Sequence, residues 1–333
     1  MLKRQLAIDM GTANTRIYVK SGGIVLNEPS VIARDVDNDA ILAVGRAAEE
    51  LLGRQNEKIE VSRPLTSGVI ADFAGARVML GTFIRRASGR WHISQPEAMM
   101  TVPSGATSTE QRAVIDVGRR AGLKSVYLIP SGVSAALGAG LPVIEPKGHM
   151  IIDIGSETTE VTVLSLGGVV ASRSIRLGGT NMTEAIMRTI KRIHGVQIGI
   201  GSAEEAKRLV GSLAEKPKSS MKIHGRANVK GQPQTLSIGA KDLRAPLEAA
   251  LERIVLAARS VLEKTPPDLV SDIVESGMIL SGGGAQLHGL SEYFQAKLQT
   301  HVKLAQDPEL CAVKGAFIAL THLNDYKRSL LGI

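Results

Sequence analysis

The stretch Leu6-Ala-Ile-Asp-Met-Gly-Thr-Ala-Asn-Thr-Arg-Ile-Tyr-Val19 recurs in altered form as Met150-Ile-Ile-Asp-Ile-Gly-Ser-Glu-Thr-Thr-Glu-Val-Thr-Val163, and this repeat constrains the fold more than any other feature. In both copies an apolar strand runs into Asp (Asp9, Asp153), Gly follows two residues on (Gly11, Gly155), then small hydroxylated residues, then a β-branched strand. The pattern predicts a hairpin whose turn is suited to an anion. Glycine lets the backbone approach closely, successive N–H groups can face inward, and Thr12, Thr15, Ser156, Thr158 and Thr159 offer hydroxyls. Asp9 and Asp153, just before the turns, suit a Mg²⁺ ion that keeps several waters and is held through one or two carboxylates plus substrate phosphates. A phosphate turn in each half implies a nucleotide between two similar domains. A third element, Met278-Ile-Leu-Ser-Gly-Gly-Gly284, is a buried-type strand ending in Gly282, Gly283 and Gly284. Consecutive glycines are costly in chain entropy and mark a close approach of backbone to something flat or charged.

At 333 residues the chain can bury more than one core, and 44% hydrophobic with 22% charged residues describes a globular protein. Aromatics are 3%, so the cores must be aliphatic. One cysteine, Cys311, excludes an internal disulfide framework and favours a reducing compartment. The seven histidines lack metal-ligand spacing, so no zinc site is expected. Met1–Gln5 passes directly into the first strand, which leaves no room for a signal peptide, and the apolar run over 132–144 is broken by glycine and Pro142, so no membrane span is expected. A net charge of +8 allows attraction to nucleic acid or anionic lipid. Base stacking needs aromatic side chains, and their scarcity favours the lipid surface over nucleic acid.

Along the chain, residues 34–75 read as a mixed insertion with a helix near Arg46–Leu52, and helical spacing follows over Ala76–Ala87. Thr107-Ser-Thr-Glu110 has the form of a capping box. Pro130-Ser-Gly-Val-Ser-Ala-Ala-Leu-Gly138 starts a small-residue helix close to the expected nucleotide. In the second half, helices are expected over Met182–Ile193 and 202–211, then a Lys/Ser/Gly-rich insertion to about Gly239, then a helix starting at Pro246 and stopped by Pro266-Pro267. Strands alternating with helices in two related halves point to α/β architecture with a deep central cleft.

Asp9-Met-Gly-Thr-Ala-Asn-Thr15, Gly23-Ile-Val-Leu-Asn-Glu-Pro-Ser-Val31, Gly68-Val-Ile-Ala-Asp-Phe73, Glu263-Lys-Thr-Pro-Pro-Asp-Leu-Val-Ser-Asp-Ile273 and Leu280-Ser-Gly-Gly-Gly284 closely resemble the MreB family of bacterial actin homologues, over nearly the whole chain. The resemblance implies an actin-like fold of two ribonuclease-H-like halves, each with a smaller insertion. In that division 1–33 and 75–146 form subdomain IA, 34–74 IB, 147–180 and 245–333 IIA, and 181–244 IIB. It also implies ATP or ADP with Mg²⁺ as cofactors. The phosphates would lie on Gly11, Thr12, Ala13 and Asn14 and on Gly155, Ser156 and Thr158, the adenosine on Gly282, Gly283 and Gly284, with Glu204 and Lys207 on the adenine-side helix. Such proteins polymerise with ATP into filaments under the cytoplasmic membrane and direct wall synthesis and rod shape. The partners implied are further copies of the chain, an anionic membrane surface and membrane-bound cell-shape proteins, with no nucleic acid.

Two positions depart from that pattern. The family's Glu-Glu-Pro is Pro130-Ser131-Gly132 here, so Ser131 stands where a glutamate orients the attacking water. A positioned base is typically worth about 10²–10⁴ in rate, and serine is too short and too weakly basic to replace it. The family's Asp-x-Gly-Gly-Gly-Thr is Asp153-Ile-Gly-Ser-Glu-Thr158, which places Glu157 where glycine usually lets backbone approach the terminal phosphate. A carboxylate ~4 Å from a phosphate charge costs roughly 4 kcal/mol at an effective dielectric of 20. Glu157 therefore turns away, or weakens binding of the terminal phosphate, or orients water from across the cleft. In the family the bilayer is met by an N-terminal amphipathic helix or an apolar loop; here the loop 88–95 fits, with Trp91 and Ile93 beside Arg85, Arg86 and Arg90.

Three functions fit: an ATP-switched cytoskeletal filament with slow hydrolysis, a catalytically inactive scaffold modifying the filaments of an active relative, and, last, a small-molecule kinase, for which no substrate base is evident. No strand leads into Gly-x-Gly-x-x-Gly and no Gly-Lys-Ser/Thr loop is present, so dinucleotide and Walker-type sites are excluded.

Overall fold

Neighbouring residues on the central strands point to opposite faces, and helices cover both faces, so inward and outward positions alike are buried. The computed structural model describes residues 5–52, 57–88, 95–214, 220–227, 231–327 and 330–331. The first sheet runs Ser125–Pro130, Glu97–Val102, Gln5–Met10, Asn14–Val19, Gly23–Pro29. Its first three strands are parallel, and Gln5–Met10 begins an antiparallel meander through the last two. The second sheet repeats this plan as Val302–Leu304, Met278–Ser281, His149–Ile154, Thr159–Ser165, Gly168–Ile175, with the same directions. Strand order and polarity thus match in both halves, as the repeated motif requires. Each half also carries a small three-stranded sheet: Ile41–Val44, Ile32–Asp35, Ile59–Ser62 in one, and Val196–Gln197, Ser220–Ala227, Pro233–Gly239 in the other.

The strand alternation sorts side chains into layers. Leu6, Ile8, Met10 and Met100 pack against Met79, Leu80 and Phe83 of the helix Phe73–Ser88 and Val114 and Val117 of Ser108–Arg120. The intervening residues Ala7 and Met99, with Ile129, turn the other way and join Ile151 and Leu164 of the second sheet around the helices Ser131–Gly138 and Cys311–Thr321. Ile152, Ile154, Val161 and Val163 face outward onto the helices Gly179–His194 and Ala240–Leu262. The order is therefore helices, sheet, helix pair, sheet, helices. The central pair is packed backbone to backbone. A Cβ on Gly315 would lie 1.7 Å from the Ser134 carbonyl oxygen, and one on Gly138 1.9 Å from that of Cys311. Ser134 seals the contact by donating its hydroxyl to the Ala312 carbonyl at 2.6 Å.

Local chemistry sets several helix starts. The expected capping box is present: Thr107 N–H donates to Glu110 Oε2 at 2.7 Å and Glu110 N–H to the Thr107 hydroxyl at 3.3 Å. The helix expected to start at Pro246 begins earlier, at Ala240. There Gly239 N–H donates to the Asp242 carboxylate at 2.7 Å, and buried Pro246 leaves the Asp242 carbonyl without its intrahelical donor. Early in a helix held by packing on both sides, that loss is tolerated. Among the described residues no helix is long and apolar enough to cross a membrane.

Candidate functional site

The two repeated turns close identically. Gly11 N–H donates to the Asn14 carbonyl at 3.1 Å, and Gly155 N–H to the Thr158 carbonyl at 2.8 Å. A Cβ would lie 3.0 Å from the Asn14 oxygen in one case and 3.1 Å from the Thr158 oxygen in the other, so glycine serves the same steric purpose in both. The strands leading in deliver Asp9 and Asp153. Asp9 Oδ1 accepts the Thr101 hydroxyl at 2.7 Å, and its other oxygen lies 3.6 Å from Arg16. Asp153 Oδ1 accepts the Ser281 hydroxyl at 2.7 Å. Burial pushes the Asp153 carboxyl up to about 7, opposed by the Ser281 hydrogen bond and reinforced by the negative charges of Asp9 and Glu160. Burial and the facing charge of Asp9 thus disfavour the Asp153 anion, a condition that a cation between the halves would relieve. Among the described residues no group of three or more His, Cys, Asp or Glu stands ready to cage a metal directly. The donor set suits Mg²⁺ held through its own waters and a ligand's phosphates.

Of the hydroxyls, Thr15 and Thr159 are not available to a ligand, contrary to expectation. Thr15 is fully buried and bonded to the Ser30 hydroxyl at 2.9 Å; Thr159 is fully buried and donates to the Leu177 carbonyl at 2.7 Å. Thr15 stands second in its return strand and Thr159 first in its own, where the alternation turns them into the protein. Thr12 Oγ1 accepts the Gly68 N–H at 2.9 Å, and Arg63 holds the carbonyls of Thr12 and Ala13 at 3.1 Å each. Behind the second turn the helix Gly179–His194 points its N-terminus: Gly179 N–H donates to the Gly155 carbonyl at 3.0 Å and Thr180 N–H to that of Ser156 at 2.7 Å. Gly178 permits this, since a Cβ there would lie 2.5 Å from the Gly155 oxygen.

The glycine triplet divides its work. A Cβ on Gly282, whose φ is +84°, would meet the Ile154 carbonyl oxygen at 2.3 Å, and one on Gly284 the Ile154 side chain at 2.6 Å. Those two let the triplet pack onto the base of the second turn. Gly283 has nothing within 4 Å and faces open space. Glu204 and Lys207 lie on the helix Ile200–Leu209, with Lys207 Nζ bonded to the Gly179 carbonyl at 2.8 Å, to Thr183 at 2.9 Å and to Glu204 at 2.7 Å. Burial lowers the Lys207 ammonium below its ordinary value, against the pull of Glu204. This lysine ties its helix to the start of Gly179–His194.

Ser131 opens the helix Ser131–Gly138 and donates its hydroxyl to the Val102 carbonyl at 3.0 Å. Glu157 reaches across the cleft, where Oε2 accepts the Ser67 N–H at 2.7 Å. Glu160, two percent exposed, accepts the Ser104 N–H at 3.2 Å, and burial raises its carboxyl above the ordinary range against hydrogen bonds from Ser174 and Ser104. It bridges the halves beside Gly132, where a Cβ would lie 3.6 Å from Glu160 Cβ. No motif points to Arg63, Ser67 or Ser104, all distant in the chain from the residues they brace; for Glu160 the hint is a charged residue inside a β-branched strand. Trp91 and Ile93 lie outside the described residues.

Known proteins resemble this chain in sequence and in fold. A family model described as MreB/Mbl protein matches residues 3–328. The cell shape-determining protein Mbl of Bacillus cereus is 39% identical over 325 residues, covering 97% of this chain and 98% of that protein. The cell shape-determining protein MreB of Escherichia coli is 41% identical over 326 residues, covering 96% of this chain and 94% of that protein. A crystal structure of MreB 5 of Spiroplasma citri bound to AMPPNP superposes with a TM-score of 0.92 at 33% identity, over 97% of this chain and 98% of the other. The α/β actin-like architecture expected from the resemblance is the one observed.

Proposed function

Because the chain belongs to the MreB/Mbl family, we propose that it binds ATP and ADP with Mg²⁺ between its two repeated turns and assembles into filaments at the inner face of the cell membrane that organise cell shape. The observation that carries this reading is the matched pair of turns, each closed by the same hydrogen bond and each preceded by a carboxylate. The AMPPNP-bound relative supports the adenine nucleotide, and the shape-determining relatives support the cellular role. Phosphates would lie on the turns Gly11–Asn14 and Gly155–Thr158, with adenosine on the open face at Gly283. Hydrolysis is slow in this reading, since the Ser131 hydroxyl is bonded to Val102 and has no carboxylate to offer. That bond also favours the second reading, an inactive scaffold that modifies filaments of an active relative.

Electron microscopy of the purified protein with ATP, with ADP and without nucleotide tests the assembly. Filaments are expected with nucleotide, and their absence under all three conditions overturns the reading. Asp153→Asn keeps an acceptor for Ser281 but removes the charge. It is expected to lower Mg²⁺-dependent ATP affinity about 10–100-fold, the usual loss for a residue acting through a metal's bound waters. Fluorescent-nucleotide titration with Mg²⁺ and with EDTA reads this, and equal affinities for variant and wild type in Mg²⁺ would remove Asp153 from the site.

The membrane contact is proposed to run through Trp91 and Ile93, with arginines of the preceding helix facing anionic headgroups. Co-sedimentation of a Trp91→Ala, Ile93→Ala double variant with anionic liposomes is expected to fall well below wild type. Unchanged binding would show that this loop is not the anchor.

A further inference from the structure

We propose that Glu157 acts as a built-in substitute for a terminal phosphate, so that the cleft closes alike around a nucleoside diphosphate and a triphosphate. The inference rests on the reading that a nucleotide lies between the two turns. It starts from the hairpin Leu65–Thr66/Val69–Ile70, whose two turn residues, Ser67 and Gly68, both have left-handed backbone with φ of +50° and +76°. Two left-handed residues in succession make the tight turn that matches strand twist, and glycine is the usual second residue. Serine at the first position accepts conformational strain to be there.

What this turn presents is a pair of adjacent N–H groups, the arrangement by which backbone commonly catches an anion. Their acceptors belong to different halves of the molecule. Gly68 N–H goes to Thr12 Oγ1 of the first turn at 2.9 Å, and Ser67 N–H goes to Glu157 Oε2 of the second at 2.7 Å. The tip is wedged as well as bonded: a Cβ on Gly68 would meet Pro103 Cγ at 2.8 Å and Thr158 Cγ2 at 3.5 Å. One hairpin therefore grips both turns at once, and the anion that completes the grip is a side chain of the protein. With glycine at 157, the Ser67 amide would be left to be filled from the cleft, and closure would depend on what the ligand carries. With Glu157 in place, closure needs no ligand anion, and a third phosphate meets a negative charge already seated.

The test compares wild type with Glu157→Gly and Glu157→Gln. Fluorescent ADP and a non-hydrolysable ATP analogue are titrated in Mg²⁺, and amide exchange at Ser67 and Gly68 is followed without nucleotide. Wild type is expected to bind ADP at least as tightly as the ATP analogue. Glu157→Gly is expected to shift the ratio towards the triphosphate by about tenfold or more, with loss of Ser67 protection. Glu157→Gln keeps the acceptor without the charge, so Ser67 should stay protected while the ratio shifts part of the way. An unchanged affinity ratio in Glu157→Gly, or Ser67 exchange equally fast in wild type and Glu157→Gly, overturns the proposal. Should no protein bind either nucleotide, the nucleotide reading fails. The exchange comparison still decides the clasp.

Discussion

Replacing Ser131 with glutamate is expected to raise steady-state phosphate release from assembled protein by about 10²-fold or more, the usual contribution of a positioned base. Ser131 is the first residue of the helix that follows Ser125–Pro130, and its hydroxyl is bonded to the Val102 carbonyl at 3.0 Å. A serine so engaged neither reaches into the cleft nor takes a proton at neutral pH. Of the neighbouring carboxylates, Glu157 accepts the Ser67 amide and Glu160 accepts the Ser104 amide through Oε2, while Glu160 Oε1 is buried without a hydrogen-bond partner. Phosphate release from wild type, Ser131→Glu and Ser131→Gln separates the cases. A rise in Ser131→Glu alone supports the reading, whereas equal rates in all three would show that the position does not limit hydrolysis.

Gly315→Ala is expected to be among the most destabilising single-methyl additions in the chain. The added Cβ would lie 1.7 Å from the Ser134 carbonyl oxygen and 2.7 Å from the Gly138 amide nitrogen, both backbone atoms that no rotamer change can move. Overpacking usually costs about 1–3 kcal/mol and sometimes more, and a forced backbone displacement belongs at the top of that range, roughly 3 kcal/mol. At roughly 2–4 °C per kcal/mol for a chain of 150–250 residues, a drop in Tm of several degrees follows even in this longer chain. Gly201→Ala provides the control: nothing lies within 4 Å and the residue is inside the helix Ile200–Leu209, so its Tm should hold or rise slightly. Equal melting temperatures for Gly315→Ala and wild type would mean that the helix pair separates more easily than its packing indicates.

The sequence revealed what repeats and concealed what crosses. The doubled Asp-x-Gly pattern set out two like sheets and two like turns, because a hairpin closed by its own backbone is a local property. Within those turns, side-chain direction was harder to read. Thr15 and Thr159 have the right chemistry but the wrong parity, since each lies at the start of a return strand whose alternation turns it inward. The glycine triplet was legible as a close approach, yet what approaches is partly the protein: Gly282 and Gly284 accommodate Ile154, and Gly283 alone faces open space. Pro246 looked like a helix start because proline favours first turns, and tertiary packing overrode the preference. Arg63 with Thr12 inside the first half, and Ser67 with Glu157 across the cleft, join residues tens of positions apart, and no periodicity announces such a pairing.

The helix Cys311–Thr321 lies against strands Gln5–Met10 and Asn14–Val19, and Leu331 bridges to Leu128. Strands made early thus wait for a helix made much later in the chain before one face of their sheet is covered. Ala7 and Met99, both fully buried in the finished protein, stay open until Ala316 and its neighbours arrive. Nascent chains with so late a closing contact expose apolar surface until it forms, so a product lacking the helix Cys311–Thr321 would be an aggregation-prone fragment in place of a smaller working unit.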